Sequence, residues 1–247
     1  EYFNFKKGQP FQENEFFNEY LQLGGFPNSI LAPDADFRNT VLQDIFNTIM
    51  YRDIALRAQV KNDRAISAIA EYLLSEIGNP ISANKIARTL QSNGFKTQTK
   101  SVITYLDLLE QSFIFYRARR YDIRGKKWLQ TLSKYYVVDT GLRNIQLNRS
   151  SRDSLGHQLE NIVYIELLRR SYKVDIGNYD NKEIDFIARK GEQVKYYQVT
   201  LQLPENSTRE TDNLIMIPDA FEKIVLSLDQ NDVGIVNGVQ VEYVLDW

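Results

Sequence analysis

The chain has 247 residues, of which 43% are apolar, and this is enough material for one to three domains with buried cores. Charged residues make up 25% and nearly cancel to a net charge of −2; this globular proportion excludes disordered, collagen-like and fibrous proteins. With no cysteine and one histidine, His157, the sequence also excludes disulfide scaffolds, thiol catalysis, cysteine-bound metal centres and multi-histidine metal sites.

The first 62 residues are predicted to form a helical linker segment. Residues 11–23 read as one helix, which the glycines and proline of residues 24–27 end. Between residue 36 and about residue 60, apolar side chains recur at near-helical spacing and predict a second long helix with one buried face. No grouping of side chains here indicates catalysis.

Residues 63–150 are predicted to form a winged-helix domain, which begins with three helices. The first covers residues 64–77, the second is capped by Ser82 or Asn84, and the third begins at Thr97 or Thr99.

The hydrophobic period then changes to two, which predicts a hairpin. Residues 113–121 and 134–138 form its strands, and the basic residues 124–127 form a turn between them. Three helices followed by a basic hairpin is the order of a winged helix, whose wing contacts the DNA backbone.

Residues 151–247 are predicted to form an α/β domain. A helix over residues 154–171 is followed by strands at residues 183–188 and 194–201. Ser207 and Glu210 have the spacing of a capping box at the start of another helix. Residues 224–228 and 239–245 supply further strands. The whole chain is therefore expected to be a multi-domain α+β protein.

Basic charge is concentrated in one region of the chain. Residues 81–130 hold ten basic and three acidic residues, a local charge of +7, which leaves −9 for the rest. Such a segment favours an anionic partner, and we expect its cations to contact DNA phosphates, or else to face an acidic neighbouring domain. The candidate nucleic-acid-binding residues lie at the start of the third helix and on the predicted wing: Lys96, Lys100, Arg117, Arg119, Arg120, Arg124, Lys126 and Lys127.

Carboxylates of the C-terminal domain are the candidate catalytic groups. Glu183 and Asp185 share one face of a strand because side chains alternate with period two, and Glu160 lies on the preceding helix. A helix Glu, a strand Asp and a hairpin partner of the form acid-x-Lys make up the layout of restriction-endonuclease-like folds. There the acids bind Mg²⁺ and the lysine supports the attacking water or the charge of the transition state.

The hairpin partner departs from that layout. Gln198 can offer a neutral oxygen to a metal, but Thr200 cannot supply the positive charge of the lysine, and Lys195 lies on the opposite strand face. We therefore expect a catalytically inactive scaffold without a metal. The alternative is a Mg²⁺-dependent nuclease that uses Glu160, Asp185 and Gln198, with Asp185 and Gln198 as the metal ligands and His157 as a possible acid or base.

Other signals point away from further chemistry. Residues 124–127 contain a Gly-Lys pair but lack the rest of a phosphate-binding loop, so no nucleotide or other cofactor is expected to bind here. Asp139 and the residues after it are interpreted as a turn. No apolar run approaches the roughly 20 residues that span a bilayer, and no leader for export is visible, so we expect a cytoplasmic protein without a membrane partner.

The sequence resembles the domain of unknown function that follows the AAA-type ATPase module in many prokaryotic ATPases. Each matching stretch is short, but together they keep the family's order and cover nearly the whole chain. They are residues 20–27 (YLQLGGFP), 104–114 (TYLDLLEQSFI), 134–143 (KYYVVDTGLR), 156–161 (GHQLEN), 183–187 (EIDFI) and 198–200 (QVT).

The resemblance implies a helical linker, a winged helix and a C-terminal restriction-endonuclease-like domain. It also implies an upstream ATPase domain that binds ATP, and a chain that begins at Glu1 without a methionine is expected to be a processed chain or a fragment. Many members of that family carry Glu-x-Lys where this chain has Gln198 and Thr200. We therefore expect a non-catalytic module that recognises nucleic acid or a partner protein; a nuclease or a protein assembly domain are the alternatives.

Overall fold

The computed structural model of the chain describes residues 13–56, 63–130, 132–148 and 154–247. These residues fall into two compact units. The helical unit contains the described residues up to Arg117 together with those of Tyr135–Ser154, and the sheet unit contains those of Ala118–Lys134 and Leu155–Trp247. The segment Ala118–Lys134 of the sheet unit therefore lies, in the sequence, between the two segments of the helical unit.

The predicted domain boundaries cannot be compared with these units directly. The boundary between residues 62 and 63 and the one between residues 150 and 151 adjoin or fall within segments outside the described residues. The ends predicted for the first two helices, residue 11 and about residue 60, lie outside them as well. The three predicted domain ranges stay a prediction.

The described part of the chain up to residue 148 is mainly helical. Its elements, in chain order, are α1 (Glu13–Leu23), α2 (Pro27–Ile30), α3 (Ala35–Thr48), a π-helix (Ile49–Leu56), α4 (Asp63–Ser75), α5 (Ala83–Ser92), α6 (Thr99–Gln111), β1 (Phe115–Ala118), β2 (Arg120–Asp122), β3 (Lys127–Trp128), β4 (Lys134–Val137) and α7 (Thr140–Leu147).

The described part from residue 154 onward alternates between helix and strand. Its elements are α8 (Leu155–Arg169), β5 (Lys173–Tyr179), β6 (Lys182–Lys190), β7 (Gln193–Thr200), α9 (Arg209–Ile215), β8 (Glu222–Ser227), a 3₁₀ turn (Gln230–Asp232), β9 (Gly234–Val236) and β10 (Val239–Tyr243). N-terminal helices followed by a mixed sheet packed with helices confirm the α+β class predicted from the sequence.

The helical unit is organised around helices α4 to α6. Ile69 and Leu73 of α4, Leu109 of α6 and Phe115 of β1 are fully buried in one apolar cluster. The amphipathic spacing of the sequence explains this, because residues three or four apart share one helix face. Strands β1 and β4 pair and complete the order predicted for a winged helix.

Two helix starts of this unit were predicted as alternatives, and the structure decides between them. The Ser82 hydroxyl caps α5 by accepting the Lys85 N–H at 3.2 Å. The Asn84 side chain instead accepts a hydrogen bond from the Thr99 hydroxyl at 2.8 Å. Helix α6 begins at Thr99.

Asp139 caps helix α7, which begins at Thr140, so the interpretation of residues 139–142 as a turn is wrong. One carboxylate oxygen of Asp139 caps the helix by accepting the Leu142 N–H at 3.1 Å, and the other accepts the Gly25 N–H at 2.6 Å. A side chain at Gly24 would overlap the Asp139 carboxylate, and one at Gly141 would overlap the Leu23 carbonyl. These glycines allow residues 20–27 to pack closely against the start of α7.

The sheet of the other unit contains eight strands within the described residues, in the order β3-β2-β5-β6-β7-β8-β10-β9. Strands β5, β6 and β7 are successive antiparallel neighbours, whereas β8 runs parallel to both β7 and β10. Helix α8 packs on β5, β6 and β7, and α9 packs on β6, β7, β8 and β10. Helix α9 lies between β7 and β8 in the sequence, as a parallel connection requires.

The predicted wing is shorter than expected. The strand predicted over residues 113–121 is interrupted at Arg119: β1 pairs with β4, but β2 joins the edge of the large sheet, parallel to β5. Strand β3 returns antiparallel to β2. Of the basic residues predicted on the wing, Arg117 stays in the helical unit, and the others lie in or beside an edge hairpin of the sheet unit.

The capping box predicted at Ser207 and Glu210 is also wrong. Helix α9 begins at Arg209 with Thr208 in the capping position, and no side chain caps it there. The Ser207 hydroxyl accepts the Arg209 N–H at 3.3 Å, a local bond outside the helix. The Ser207 hydroxyl thus binds the amide two residues further along the chain. A capping box would need it to accept the Glu210 amide instead.

Candidate functional site

An ion-pair cluster lies in the sheet unit, where the sequence predicted the carboxylates. Lys134, the first residue of β4, places its ammonium nitrogen 2.9 Å from Glu160 Oε1 of α8 and 2.8 Å from Glu183 Oε1 of β6. The Lys134 side chain is only 3% exposed, whereas that of Glu183 is 32% exposed, so the cluster has one side near solvent. We call Lys134, Glu160, Glu183 and Asp185 the acid–lysine cluster.

The electrostatics of this cluster keep the lysine charged. Burial opposes the charge on Lys134, but the carboxylates of Glu160, Asp185 and Glu183 and the hydrogen bond to Glu160 outweigh it and raise the pKa of Lys134 above its usual value. A buried ammonium is costly unless it is paired and hydrogen-bonded, and here two glutamates provide both.

Asp185 and Gln198 lie where strands β6 and β7 separate. Regular pairing of these strands ends at Phe186 opposite Tyr197. Beyond that point the Gln198 side-chain oxygen accepts the Asp185 N–H at 3.3 Å, and Asp185 Oδ2 accepts the Val199 N–H at 2.8 Å. Side chains thus replace the backbone bonds that a continuing ladder would make.

Asp185 is surrounded mainly by groups that disfavour its charge. Burial raises the pKa of Asp185 well above its usual value, and the nearby Glu160 carboxylate raises it further. Lys134 and the Val199 N–H act in the opposite direction, and Glu210 adds to the rise. A carboxyl group shifted in this way is typical of a functional site, although buried structural networks produce the same shift.

The structure brings together the three predicted catalytic residues, Glu160, Asp185 and Gln198. Thr200 does not take part in the hydrogen bonds of these residues. Its hydroxyl donates to the Gln202 carbonyl at 2.8 Å. Lys195 pairs with Glu222 at 2.8 Å, in agreement with its assignment to another strand face.

Lys134 was not predicted as a site residue, because the nuclease layout places its lysine on the β6–β7 hairpin. Lys134 comes 26 residues before Glu160 and belongs to a different strand. One signal was present: Lys134 begins an apolar run of residues 134–138, and all of β4 is buried. A lysine in a buried strand needs an acidic partner.

The cluster does not fit the Mg²⁺ that the nuclease layout implies. Its two glutamate oxygens contact the Lys134 ammonium, and Gln198 and Asp185 Oδ2 accept backbone amides. Among the described residues, no group of three or more Asp, Glu, His or Cys side chains could hold a metal ion. His157 lies in the first turn of α8, where it is half-buried.

The predicted DNA-binding residues are divided between the two units. Lys96 and Lys100 of the helical unit are exposed just before and within the first turn of α6. Arg117 also belongs to this unit. Its guanidinium nitrogens lie 3.3 Å from a carboxylate oxygen of Glu110 and 3.7 Å from one of Asp107. Lys96 and Lys100 are therefore better placed than Arg117 to meet an outside anion.

The remaining five predicted cations belong to the sheet unit. The Arg119 guanidinium stacks over the Trp128 ring at 4.8 Å, and Arg124 pairs with Asp180 at 2.8 Å. Arg120 is half-buried in β2, and its Nε atom has no hydrogen-bond partner among the described residues. Lys126 and Lys127 are exposed at the tip of the β2–β3 hairpin.

No helix within the described ranges combines the length and the apolar character that crossing a membrane would need.

Two curated proteins are similar to nearly the whole chain. An uncharacterized protein of Haemophilus influenzae is 43% identical over 234 residues, which cover 95% of this chain and 58% of that protein. Uncharacterized protein MJ1544 of Methanocaldococcus jannaschii is 28% identical over 226 residues, which cover 90% of this chain and 48% of that protein. The chain thus spans about half the length of the curated relatives it matches. No solved structure matches it.

A family model described as a domain of unknown function, DUF8612, matches residues 14–153. This range ends just before the sheet unit resumes at Leu155. It includes Lys134, whereas the acidic members of the acid–lysine cluster follow it. The match covers more than half of the sequence, and the chain therefore belongs to the DUF8612 family.

Proposed function

We propose that this chain is a non-catalytic recognition module of a larger ATP-binding protein and that it binds nucleic acid. The relatives, about twice as long, support the idea of one module among others. The ATP-binding part is inferred from the resemblance to the domain that follows AAA-type ATPase modules. In this view the upstream ATPase domain is the first partner of the chain.

The exposed start of helix α6 carries the proposal for nucleic acid. Helix α6 packs on α5 and α4 in the order of a helix-turn-helix, and its first turn contains no acidic residue. Lys96 and Lys100 flank that start and are exposed. The free amides of a helix N-terminus and two cations together favour a phosphate, and recognition helices present their N-terminal residues to DNA.

The acid–lysine cluster supports the non-catalytic part of the proposal. The lysine that the nuclease layout requires is present as Lys134, and this observation favours a Mg²⁺-dependent nuclease as the second candidate. However, Lys134 contacts oxygens of the two glutamates that a metal at this place would need as ligands. We therefore rank recognition above cleavage. A domain that only assembles with other proteins would bind no nucleic acid at all.

Fluorescence anisotropy of a labelled random-sequence DNA duplex, titrated at several salt concentrations, tests the proposal. Wild-type affinity should fall linearly on a log–log plot against salt, because each neutralised phosphate releases counterions. The variant Lys96→Ala/Lys100→Ala should bind more weakly, with a salt slope smaller by about two. Lys126→Ala/Lys127→Ala measures the contribution of the hairpin tip in the same way.

The matched control is Lys173→Ala/Lys190→Ala, which also removes two cations. Lys173 lies at the end of β5 opposite to the end that approaches the hairpin tip, and Lys190 lies beside it in β6. This control should keep the wild-type slope. No binding at the lowest salt concentration, or equal losses in all three variants, would contradict nucleic-acid recognition through α6.

A further inference from the structure

We propose that the Lys134 ammonium is a built-in cation that takes the place of a divalent metal among Glu160, Glu183 and Asp185 and keeps the site metal-free. This inference concerns the acid–lysine cluster alone. It does not depend on nucleic-acid binding by α6, so the binding proposal and this inference can fail separately; it shares with the proposed function only the non-catalytic role of the cluster.

The first observation that supports this inference is that two glutamate side chains contact the Lys134 ammonium nitrogen. The oxygens come from different elements, α8 and β6, and lie at 2.9 and 2.8 Å from Lys134 Nζ. A magnesium or calcium ion would use the same carboxylate oxygens, at about 2.0–2.6 Å. The ammonium and a divalent ion repel each other and need the same ligands, so they cannot both occupy this place.

The position of Lys134 in the fold makes the ammonium hard to displace. All four residues of β4 are buried, and the strand pairs with β1. The Lys134 side chain is 3% exposed, so its ammonium is held away from solvent. An incoming metal would have to leave this ammonium buried without its partners, which is strongly unfavourable.

Asp185 provides a further argument from hydrogen bonding. Its Oδ2 atom accepts the Val199 N–H, and the Gln198 oxygen accepts the Asp185 N–H. A metal at Asp185 and Gln198 would compete with both bonds, which hold β6 and β7 together where their ladder ends. The positive charge that faces the carboxylates of this cluster is thus supplied by the protein's own Lys134 ammonium.

Thermal unfolding with and without Mn²⁺ tests this inference on the whole chain. Mn²⁺ favours oxygen ligands and is detected by electron paramagnetic resonance. The wild type should show no Mn²⁺ signal that depends on Asp185, and its Tm should not change. In Lys134→Met, which keeps an unbranched side chain but loses the charge, Mn²⁺ should raise the Tm by roughly 5–10 °C at a hundredfold excess over its Kd.

Two control variants separate this effect from general charge removal. Lys134→Arg keeps a positive charge in the cluster and should remain insensitive to Mn²⁺. Lys195→Met breaks the pair with Glu222 at 2.8 Å, where a single carboxylate is left, and should also remain insensitive.

Two results would overturn the inference. One is Mn²⁺ bound to the wild type and lost in Asp185→Ala, which would also revive the nuclease candidate. The other is a folded Lys134→Met variant that shows no response to Mn²⁺. If Lys134→Met does not fold, the wild-type resonance measurement decides: bound Mn²⁺ that Asp185→Ala abolishes refutes the inference, and its absence supports it.

Discussion

Asp139 joins two parts of the helical unit through a single carboxylate. It caps α7 through the Leu142 N–H and also binds the Gly25 N–H, which belongs to the loop after α1. The stretches LGGFP and DTGL, which contributed separately to the family resemblance, are therefore two sides of one contact. Their glycines have a packing role, and no chemistry needs to be assigned to them.

Replacing Asp139 by alanine should destabilise the protein more than an ordinary cap deletion. The variant loses a helix cap, about 1 kcal/mol, and leaves the partly buried Gly25 amide without this partner, at about 1–3 kcal/mol. Asp34, which caps α3 at an exposed position, provides the matched control, and Asp34→Ala should cost only about 1 kcal/mol. Equal losses in urea unfolding would show that the Gly25 contact contributes nothing.

The same residue gives the stability a pH dependence with a defined sign. Burial raises the pKa of Asp139 to about 6, against the backbone hydrogen bonds that lower it. A carboxyl group with a raised folded-state pKa stabilises the fold fully below its unfolded value near 3.9, and this stabilisation is lost as the pH rises through 6. The stability difference between wild type and Asp139→Ala should therefore be about 2 kcal/mol larger near pH 4 than near pH 7.

Residues of the candidate site differ in how far the sequence could predict them. Period-two alternation was enough to associate Asp185 with Glu183, and chain order was enough to add Glu160 and Gln198. Lys134 could not be assigned in that way, because it lies 26 residues before Glu160 in the sequence and no local pattern encodes such a pairing. Thr200 carries no positive charge, and the lysine that the structure places among the carboxylates, Lys134, comes from another part of the chain.

Among the elements, the β2–β3 hairpin could not be predicted from local sequence patterns. Alternating side chains predicted one continuous strand, and they could not show that β1 and β2 pair with different partners. Trp128 holds the hairpin in place: its indole N–H donates to Asp175 Oδ1 at 3.1 Å, and its ring meets Tyr121 at 5.5 Å. The Arg119 guanidinium covers the same ring.

Removing Trp128 should loosen this hairpin without unfolding the sheet. Trp128→Ala loses an aromatic pair, a cation–π contact and a hydrogen bond, together about 1–3 kcal/mol. The amide of Leu129, which donates to the Arg120 carbonyl at 2.8 Å, reports this loss directly. Its hydrogen exchange should become roughly ten- to hundredfold faster, because each 1.4 kcal/mol is a factor of ten.

Trp247 is a suitable control for this prediction. It also stacks with a tyrosine, Tyr197 at 5.4 Å, and with an arginine, Arg170 at 4.1 Å. Trp247→Ala should leave the exchange of the Leu129 amide unchanged. A similar acceleration in both variants would mean that the hairpin opens only together with the rest of its unit.

In the whole molecule, each of the two units is built from segments that are not consecutive in the sequence. The chain leaves the helical unit after Arg117, returns at Tyr135 and leaves it again after Ser154. The α+β class followed from hydrophobic periods, whereas helix α7 was not predicted and the exchange of segments depends on long-range pairing that a single sequence does not display. It also explains why a family range ending at residue 153 contains the lysine of the cluster but none of its acids.

Under the proposed function, this chain binds nucleic acid and leaves it intact. The most direct measurement incubates an end-labelled DNA duplex with the wild-type protein and Mg²⁺ and then compares native and denaturing gels. The proposed function predicts a retarded complex on the native gel and full-length strands on the denaturing gel. Shortened strands that require Mg²⁺ and disappear with Asp185→Ala would contradict it, as would a duplex that is never retarded.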